Sequence, residues 1–311
     1  MIEISHLTKK YGTHVAVDDL NLTIEPGRIY GFLGPNGAGK STTMNMITGY
    51  LGATEGTIKI NGFDILAQPE DAKKCIGYLP ELPPLYMDMT VEEYLLFAAE
   101  LKKIPKGKRK PYVEDAMATT KIMRGRLIKN LSKGYRQRVG LAQAVLGYPE
   151  VIILDEPTVG LDPKQIIEIR DLIQSLGKKH TVILSSHILS EVRAVCDYIF
   201  IISHGKLVAS EETEELVERM SGGQVIELKL KAEEEKVKEV FADAEHITAV
   251  ETKELPEDGV TEVTVTAEKN KDVREEIFHI CAESDMPILE MINGGKSLED
   301  IFLELTSKEE E

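Results

Sequence analysis

The sequence lacks the features that mark membrane-spanning, secreted and metal-binding chains. No apolar run approaches the roughly 20 residues that a membrane-spanning helix needs. The first residues form neither a basic nor an apolar segment, so we expect no secretory signal. The three cysteines, Cys75, Cys196 and Cys281, lie far apart without metal-binding spacing. We expect buried thiols in a reducing compartment.

Positive charge is scarce in the last third of the chain. Residues 221–311 hold 25 acidic and 10 basic side chains, so they carry nearly all of the net charge of −16. Such a segment would repel nucleic-acid phosphates, so we expect no nucleic-acid partner there and interpret it as a solubilising surface. At 311 residues the chain has room for two domains and a sizeable core.

The first two thirds of the chain predict an α/β domain over residues 1–220. Short apolar runs alternate with turn residues up to residue 33, as in strands at the front of a mixed sheet. A continuous apolar run at 151–154 is typical of a buried parallel strand. Helix and strand then alternate as far as residue 203, which favours a largely parallel sheet.

Residues 88–147 predict a helical insertion in this domain. Thr90 and Glu93 form a capping box, and apolar residues follow at helical spacing. Further helices are expected at 111–123 and 133–146. The basic run at 106–110 is expected to be a solvated loop, and a nearby anionic lipid surface is the weaker alternative.

Residues 224–311 predict a second, smaller domain, joined by a linker at Gly222 and Gly223. The expected order is strand, helix, strand, strand, helix, strand, with a last helix at 297–306. This order is the ferredoxin-like α+β pattern.

The most informative segment is the glycine-rich run at residues 34–42. It fits the pattern G-x-x-x-x-G-K-[ST] of a phosphate-binding loop and follows a short apolar strand, the context that such a loop requires. Its glycines let successive N–H groups turn towards an anion, and the helix expected to start near Gly39 adds its positive end. The loop residues are Gly34, Pro35, Asn36, Gly37, Ala38, Gly39, Lys40, Ser41 and Thr42. Lys40 is expected to reach the β- and γ-phosphates, and Ser41 to hold Mg²⁺.

Polar residues also follow two apolar strands. Asp155 and Glu156 end the run at 151–154, and His187 follows the run at 181–184. Strand ends of an open α/β sheet meet at the ligand edge, so these groups are expected near the phosphates. Asp155 suits the Mg²⁺ shell and Glu156 suits the activation of water. His187 could contact a γ-phosphate.

A second anion site is predicted at the start of the helix at 133–146. Ser132 is its candidate N-cap and Gly134 lies in its first turn. The segment belongs to the helical insertion. We expect it to lie too far from the phosphate loop of its own chain to contact the same nucleotide. A second chain could supply it across a dimer.

With these pieces in this order, residues 2–220 resemble the nucleotide-binding subunit of an ATP-binding cassette (ABC) transporter. The resemblance implies an ABC ATPase (P-loop NTPase) core with an antiparallel β subdomain and a helical insertion. It implies that Tyr11 stacks on adenine, that Val17 also contacts ATP, and that His187 is the switch histidine. From a second copy it implies contacts by Ser132, Lys133, Gly134, Tyr135 and Asp162.

The chain departs from the family pattern at two places. The signature, normally Leu-Ser-Gly-Gly-Gln, has Lys133 in place of its first glycine and Tyr135 in place of its glutamine, while Ser132 and Gly134 are kept. The glutamine that binds Mg²⁺ and senses the membrane subunit is replaced by Glu81, which can still ligate the ion. Both variants, and the stretch from Ser297 to Phe302, resemble the branch that serves ABC-2-type export permeases.

The resemblance therefore implies an ATP- and Mg²⁺-dependent ATPase that drives a separate permease, by implication an exporter. Two copies, or this chain and a similar subunit, would enclose two ATP molecules. The permease would dock near residues 81–89 and hold the protein at the cytoplasmic, inner face of the cell membrane.

Two other functions are weighed against this one. A soluble ABC-type ATPase of DNA repair or translation would carry long coiled coils, zinc modules or two cassettes, and none of these is evident. A binding module without turnover would not need Lys40, Asp155, Glu156 and His187 together. The transported cargo is not encoded in any motif of this chain.

Overall fold

The computed structural model describes residues 1–216, 225–242, 244–255, 259–268 and 271–294. Described residues up to 213 form one compact unit, and those from 214 onward form a second. Several expectations lie outside the described residues: the boundaries at 220 and 224, the linker at Gly222 and Gly223, the helix at 297–306 and the stretch from Ser297 to Phe302.

The strands of the first unit build two sheets. They are β1 (Ile2–Tyr11), β2 (His14–Ile24), β3 (Ile29–Leu33), β4 (Glu55–Ile60), β5 (Phe63–Asp64), β6 (Ile76–Leu79), β7 (Val151–Asp155), β8 (Thr181–Ser186), β9 (Tyr198–Ser203) and β10 (Lys206–Glu212). The smaller, antiparallel sheet has the order β2-β1-β4-β5, and the larger sheet has the order β10-β9-β3-β8-β7-β6.

Parallel pairing in the larger sheet determines where the functional residues meet. Strand β8 pairs in parallel with both β3 and β7, and β7 pairs in parallel with β6. Parallel strands end at the same edge, so the segments after β3, β6, β7 and β8 all emerge there. The sequence pattern did not predict the antiparallel edge strand β10, which pairs with β9.

Helices flank the larger sheet and fill the insertion. They are α1 (Lys40–Ile47), α2 (Pro69–Lys74), α3 (Val91–Leu101), α4 (Lys106–Thr119), α5 (Lys133–Val145), α6 (Pro163–Gly177) and α7 (Leu189–Val195), with a 3₁₀ turn at Ile128–Asn130.

One apolar core joins the two sheets of the first unit. It contains Ile4 and Ile58 of the smaller sheet, Met44 of α1, and Phe32 and Phe200 of the larger sheet. The Phe32 and Phe200 rings lie 5.1 Å apart between centroids. Burial of such large side chains contributes about 1.5–3 kcal/mol each, so this core holds the phosphate loop on a rigid base.

In the helical insertion the predicted caps are confirmed, and the bounds of one predicted helix, 111–123, are wrong. Thr90 and Glu93 form the capping box of α3, and the Ser132 side chain caps α5. Residues 106–110 are not a loop but the first turns of α4, which ends at Thr119. Arg109 explains this difference, because it donates to the Ile104 carbonyl at 2.9 Å and pairs with Glu100 of α3 at 3.0 Å.

The second unit has the predicted ferredoxin-like topology. Its elements are β11 (Val225–Leu230), α8 (Glu234–Phe241), β12 (Ile247–Glu254), β13 (Thr261–Ala267), α9 (Arg274–Glu283) and β14 (Ile288–Asn293). The antiparallel sheet has the order β12-β13-β11-β14. Residues of both helices, including Phe241 and Ile277, pack on the buried face of the sheet beside Val263.

Within the described ranges, no helix combines the length and the apolar content that crossing a membrane requires. Of the three free cysteines, Cys196 and Cys281 are buried and Cys75 is partly exposed.

Candidate functional site: a nucleotide cavity at the sheet edge

The phosphate loop leaves β3 and turns into α1 through two positions that only glycine fits. Gly39 has a φ of +103° and immediately precedes α1. A Cβ on Gly39 would lie 2.5 Å from the Ala16 carbonyl oxygen, and one on Gly34 would lie 2.2 Å from the Ile202 carbonyl oxygen. Both neighbours are backbone atoms that cannot rotate away, so the loop packs against β2 and β9 at the closest possible distance.

Lys40 folds back over the loop that precedes it. Its Nζ donates to the carbonyl oxygens of Gly34 at 2.7 Å and Pro35 at 3.1 Å, and it lies 3.7 Å from Glu156 Oε1. Burial lowers the pKa of the Lys40 ammonium, and the carboxylates of Glu156 and Asp155 oppose part of that shift. The cation is therefore held at the loop, in position for phosphate oxygens.

Asp155 stands at the carboxyl end of β7 and accepts two hydroxyl groups. Ser41 of α1 donates to Asp155 Oδ1 at 3.2 Å, and Ser185 of β8 donates to the same atom at 2.5 Å. In the described part of the chain, no cluster of three or more His, Cys, Asp or Glu side chains could hold a metal alone. One carboxylate and one hydroxyl beside a phosphate loop fit Mg²⁺, which retains waters and takes phosphate oxygens as further ligands.

Glu156 has a strained backbone and a buried carboxyl. Its φ of +46° lies in the left-handed region, and its N–H donates to Ser185 Oγ at 2.9 Å. Burial raises the pKa of the Glu156 carboxyl, against the lowering effects of His187 and Lys40. A raised pKa favours acceptance of a proton, which is the chemistry of a general base.

His187 reaches back to Glu156 from the loop after β8. Its Nδ1 lies 3.0 Å from Glu156 Oε2. When Nδ1 donates to this carboxylate, Nε2 carries a hydrogen only in the imidazolium form. His187 can therefore donate to a phosphate oxygen and to Glu156 together only when it is protonated.

Lys40, Ser41, Glu156 and His187 border one cavity of about 430 Å³. Its lining includes the predicted residues Tyr11, Asn36, Gly37, Gly39, Lys40, Ser41, Thr42, Glu81, Glu156 and His187. Gly34, Pro35 and Ala38 shape the loop but do not line the cavity. Tyr11 is half exposed, with Lys9 Nζ 5.3 Å from its ring centroid.

Two further predicted residues, Asp155 and Val17, do not line the cavity. The Val17 side chain points into the apolar core of the first unit. His14 and Ala16 line the cavity instead, together with Val159. His14 and Ala16 are two apart in strand β2, so the alternation of strand faces was the signal that could have identified them.

The predicted second anion site lies apart from this cavity. None of Ser132, Lys133, Gly134 and Tyr135 lines it; three of them line a separate cavity of about 370 Å³ against α6. Ser132 Oγ accepts from the Tyr135 N–H at 3.4 Å, and Asp162 caps α6 by accepting from the Gln165 N–H at 2.9 Å. Lys133 lies along Gly160, where a Cβ would be 2.2 Å from its ammonium. The two predicted anion sites thus lie at two separate cavities of the first unit.

Comparisons with known proteins agree with this geometry. The ABC transporter family profile matches residues 17–159. The bacitracin transport ATP-binding protein BcrA of Bacillus licheniformis is 35% identical over 309 residues, covering 98% of this chain and 97% of that protein. The linearmycin resistance ATP-binding protein LnrL of Bacillus subtilis is 30% identical over 312 residues, covering 99% of each.

Among solved structures, the dimeric structure of MJ0796, a bacterial ABC transporter cassette, superposes with a TM-score of 0.61 at 26% identity. The match covers 68% of this chain and 99% of that one. The chain belongs to the ATP-binding proteins of the ABC transporter family. It binds and hydrolyses ATP and thereby drives a membrane transporter.

Proposed function

We propose that two ATP molecules bind between two copies of this chain, or between this chain and a similar subunit. The observation that supports this proposal is the separation of the two parts of the site within one chain. The phosphate loop and catalytic carboxyl share one cavity, whereas the N-terminus of α5 lies outside it. Closing the site needs a second chain that brings Ser132, Lys133, Gly134, Tyr135 and Asp162 to the ATP.

In this proposal each residue around the cavity has a separate task. Tyr11 stacks on adenine while the N–H groups of residues 34–42 and Lys40 hold the phosphates. Glu156 accepts a proton from the attacking water, and His187 orients Glu156 and contacts the γ-phosphate. Because ATP adds contacts to both chains, it favours the closed dimer, and loss of the γ-phosphate releases it.

Ser41, Asp155 and Glu81 are the residues that we propose would hold Mg²⁺. The ion would supply charge neutralisation for the phosphate oxygens. The supporting observation is the oxygen-only donor set at the sheet edge. Glu81 lines the same cavity and follows β6, and Ser41 and Asp155 already contact each other.

We propose that a membrane permease docks on residues 81–89. This segment exposes large apolar side chains, with Leu82 77% and Tyr86 55% exposed. Tyr86 packs edge-on against Phe97 of α3, with 5.5 Å between ring centroids. An apolar exposed surface that begins at Glu81 could link a partner to the nucleotide, and it would place the protein at the cytoplasmic face of the membrane.

The direction of transport that we propose is export. Relatives matched over nearly their whole length are named for bacitracin transport and linearmycin resistance. Resistance follows when a toxic compound is removed from the cell. The permease, a separate protein, would select the cargo.

The Glu156→Gln variant tests the proposed site. It keeps the size of the side chain but cannot accept the proton, so we expect ATP hydrolysis to fall at least about 100-fold. ATP binding should persist, and the variant should accumulate as an ATP-bound dimer that size-exclusion chromatography with light scattering detects.

The matched control is Glu55→Gln, a surface residue of β4 that pairs with Lys10 outside the cavity. It should hydrolyse ATP like the wild type and show no stable dimer. A Glu156→Gln protein that stays monomeric in saturating ATP and hydrolyses normally would contradict the proposal.

A further inference from the structure

A buried carboxyl next to the nucleotide cavity has no task in the site described so far. Glu191 lies in the first turn of α7 and is only 7% exposed. Its Oε2 accepts from Thr158 Oγ1 at 2.5 Å and from Ser186 Oγ at 3.2 Å. Burial of a carboxyl is unfavourable unless it is hydrogen-bonded, so these two contacts explain how the fold tolerates Glu191 there.

The two hydroxyl groups belong to two different segments, Thr158 to the loop after β7 and Ser186 to the end of β8. Thr158 follows Glu156 by two residues, and Ser186 directly precedes His187. At the cavity itself, Glu156 and His187 are joined by a contact of 3.0 Å. The Glu156 N–H also donates to Ser185 Oγ at 2.9 Å. Glu191 therefore adds a further connection between the segments that carry Glu156 and His187, away from solvent.

Thr158 and Ser186 both donate to Glu191. Ser186 Oγ also accepts from the Ile188 N–H at 3.1 Å, so the hydroxyl acts as donor and acceptor at once. Thr158 and Ser186 are themselves buried. A buried hydrogen-bond network whose members are all paired is rigid and favours one geometry, whereas solvent-exposed pairs are less restricted.

We propose that Glu191 is a positioning residue for ATP hydrolysis. It acts through Thr158 and Ser186 to hold the Glu156 loop and the His187 loop at the separation that their contact requires. This inference rests on the proposed roles of Glu156 and His187. Glu191 itself does not line the nucleotide cavity.

The test compares Glu191→Gln and Thr158→Val with the wild type in the full chain. Glu191→Gln keeps the shape but weakens acceptance from both hydroxyls, and Thr158→Val keeps the shape but removes one donor. For each we expect kcat to fall about tenfold while KM for ATP stays within about threefold, because misplacement of a catalytic group affects the transition state more than binding.

A double-mutant cycle separates positioning from simple stability. Because Glu191 is proposed to act by holding the contact between Glu156 and His187, it should matter little once His187 is removed. In a His187→Ala background, Glu191→Gln should therefore lower kcat by less than about twofold. Thr158→Ser, which keeps the hydroxyl, should restore most of the activity that Thr158→Val loses.

The matched control is Gln174→Ala. Gln174 Nε2 donates to the Ala194 carbonyl at the other end of α7, at 3.0 Å, so its loss loosens α7 without touching either loop. We expect a lower Tm and an unchanged kcat.

Glu191→Gln and Thr158→Val proteins that both keep kcat within about twofold of the wild type would overturn the inference, as would a Gln174→Ala protein that loses as much kcat as they do. The proposed function fails differently. If Glu156→Gln hydrolyses normally, the site assignment itself is wrong. If Glu156→Gln is inactive and Glu191→Gln is normal, only the role of Glu191 is wrong.

Discussion

The two parts of the proposed ATP site differ in how completely one chain builds them. At the sheet edge, Lys40, Asp155 and Glu156 are buried and already contact one another or their neighbours. At the start of α5, Ser132 only caps its own helix, and Lys133 lies along Gly160. The side chains of the first part hold one another in place, whereas at the second part the helix N-terminus faces α6, where a Cβ on Gly134 would lie 2.3 Å from Gln165 Oε1. Such a difference is expected when assembly, and not folding, completes a site.

The largest effect is expected when the first part of the site loses its cation, the Lys40 ammonium. Lys40→Ala should reduce both ATP affinity and hydrolysis by more than about 100-fold, because its ammonium is held within the loop for phosphate. Binding of a fluorescent ATP analogue and release of phosphate would measure the two losses. Lys10→Ala, a surface cation paired with Glu55, should match the wild type. Tight ATP binding by Lys40→Ala would show that the loop N–H groups suffice.

A smaller effect is expected from a change in the second part. Gly134→Asp places a carboxylate at the helix N-terminus, where it would repel the γ-phosphate of a facing ATP. We expect ATP binding to a monomer to stay within about threefold, and hydrolysis to fall about 30-fold or more.

Mixing experiments sharpen this prediction. Equal amounts of Gly134→Asp and Lys40→Ala subunits should form some dimers with one intact composite site, so the mixture should exceed either variant alone. A mixture as inactive as its components, with mixed dimers demonstrated by cross-linking, would contradict a shared site.

The smallest effect on basal hydrolysis is expected at the proposed docking segment. Leu82→Glu puts a charge on an exposed apolar surface outside the first part of the site. Basal hydrolysis should remain within about twofold, while copurification with a multi-span membrane protein is lost. Leu66→Glu is the control, because Leu66 is also an exposed apolar residue, 60% exposed against 77% for Leu82, and lies elsewhere. Retained copurification by Leu82→Glu would exclude this segment.

Local sequence signals predicted the residues whose roles depend on spacing. The loop at 34–42, the strand that ends at Asp155 and the caps at Thr90 and Ser132 each have a short pattern with a physical cause. Their positions in the structure agree with those patterns.

Other residues depend on packing that no local pattern records. Glu191 gains its importance only because α7 packs where two distant loops end, and Ser185 because β8 lies beside β7. The resemblance implies that Val17 contacts ATP, but strand β2 directs the Val17 side chain to the core and presents Ala16 to the cavity. The early start of α4 likewise depends on a contact between Arg109 and α3.

The backbone at Glu156 has an evolutionary consequence. A residue with a side chain in the left-handed conformation carries strain of about 1–3 kcal/mol, which glycine would relieve. Glycine would also remove a carboxyl whose burial is unfavourable. A glycine here would thus be the more stable choice and an inert one, so the glutamate is a case in which stability and activity favour different residues at one position.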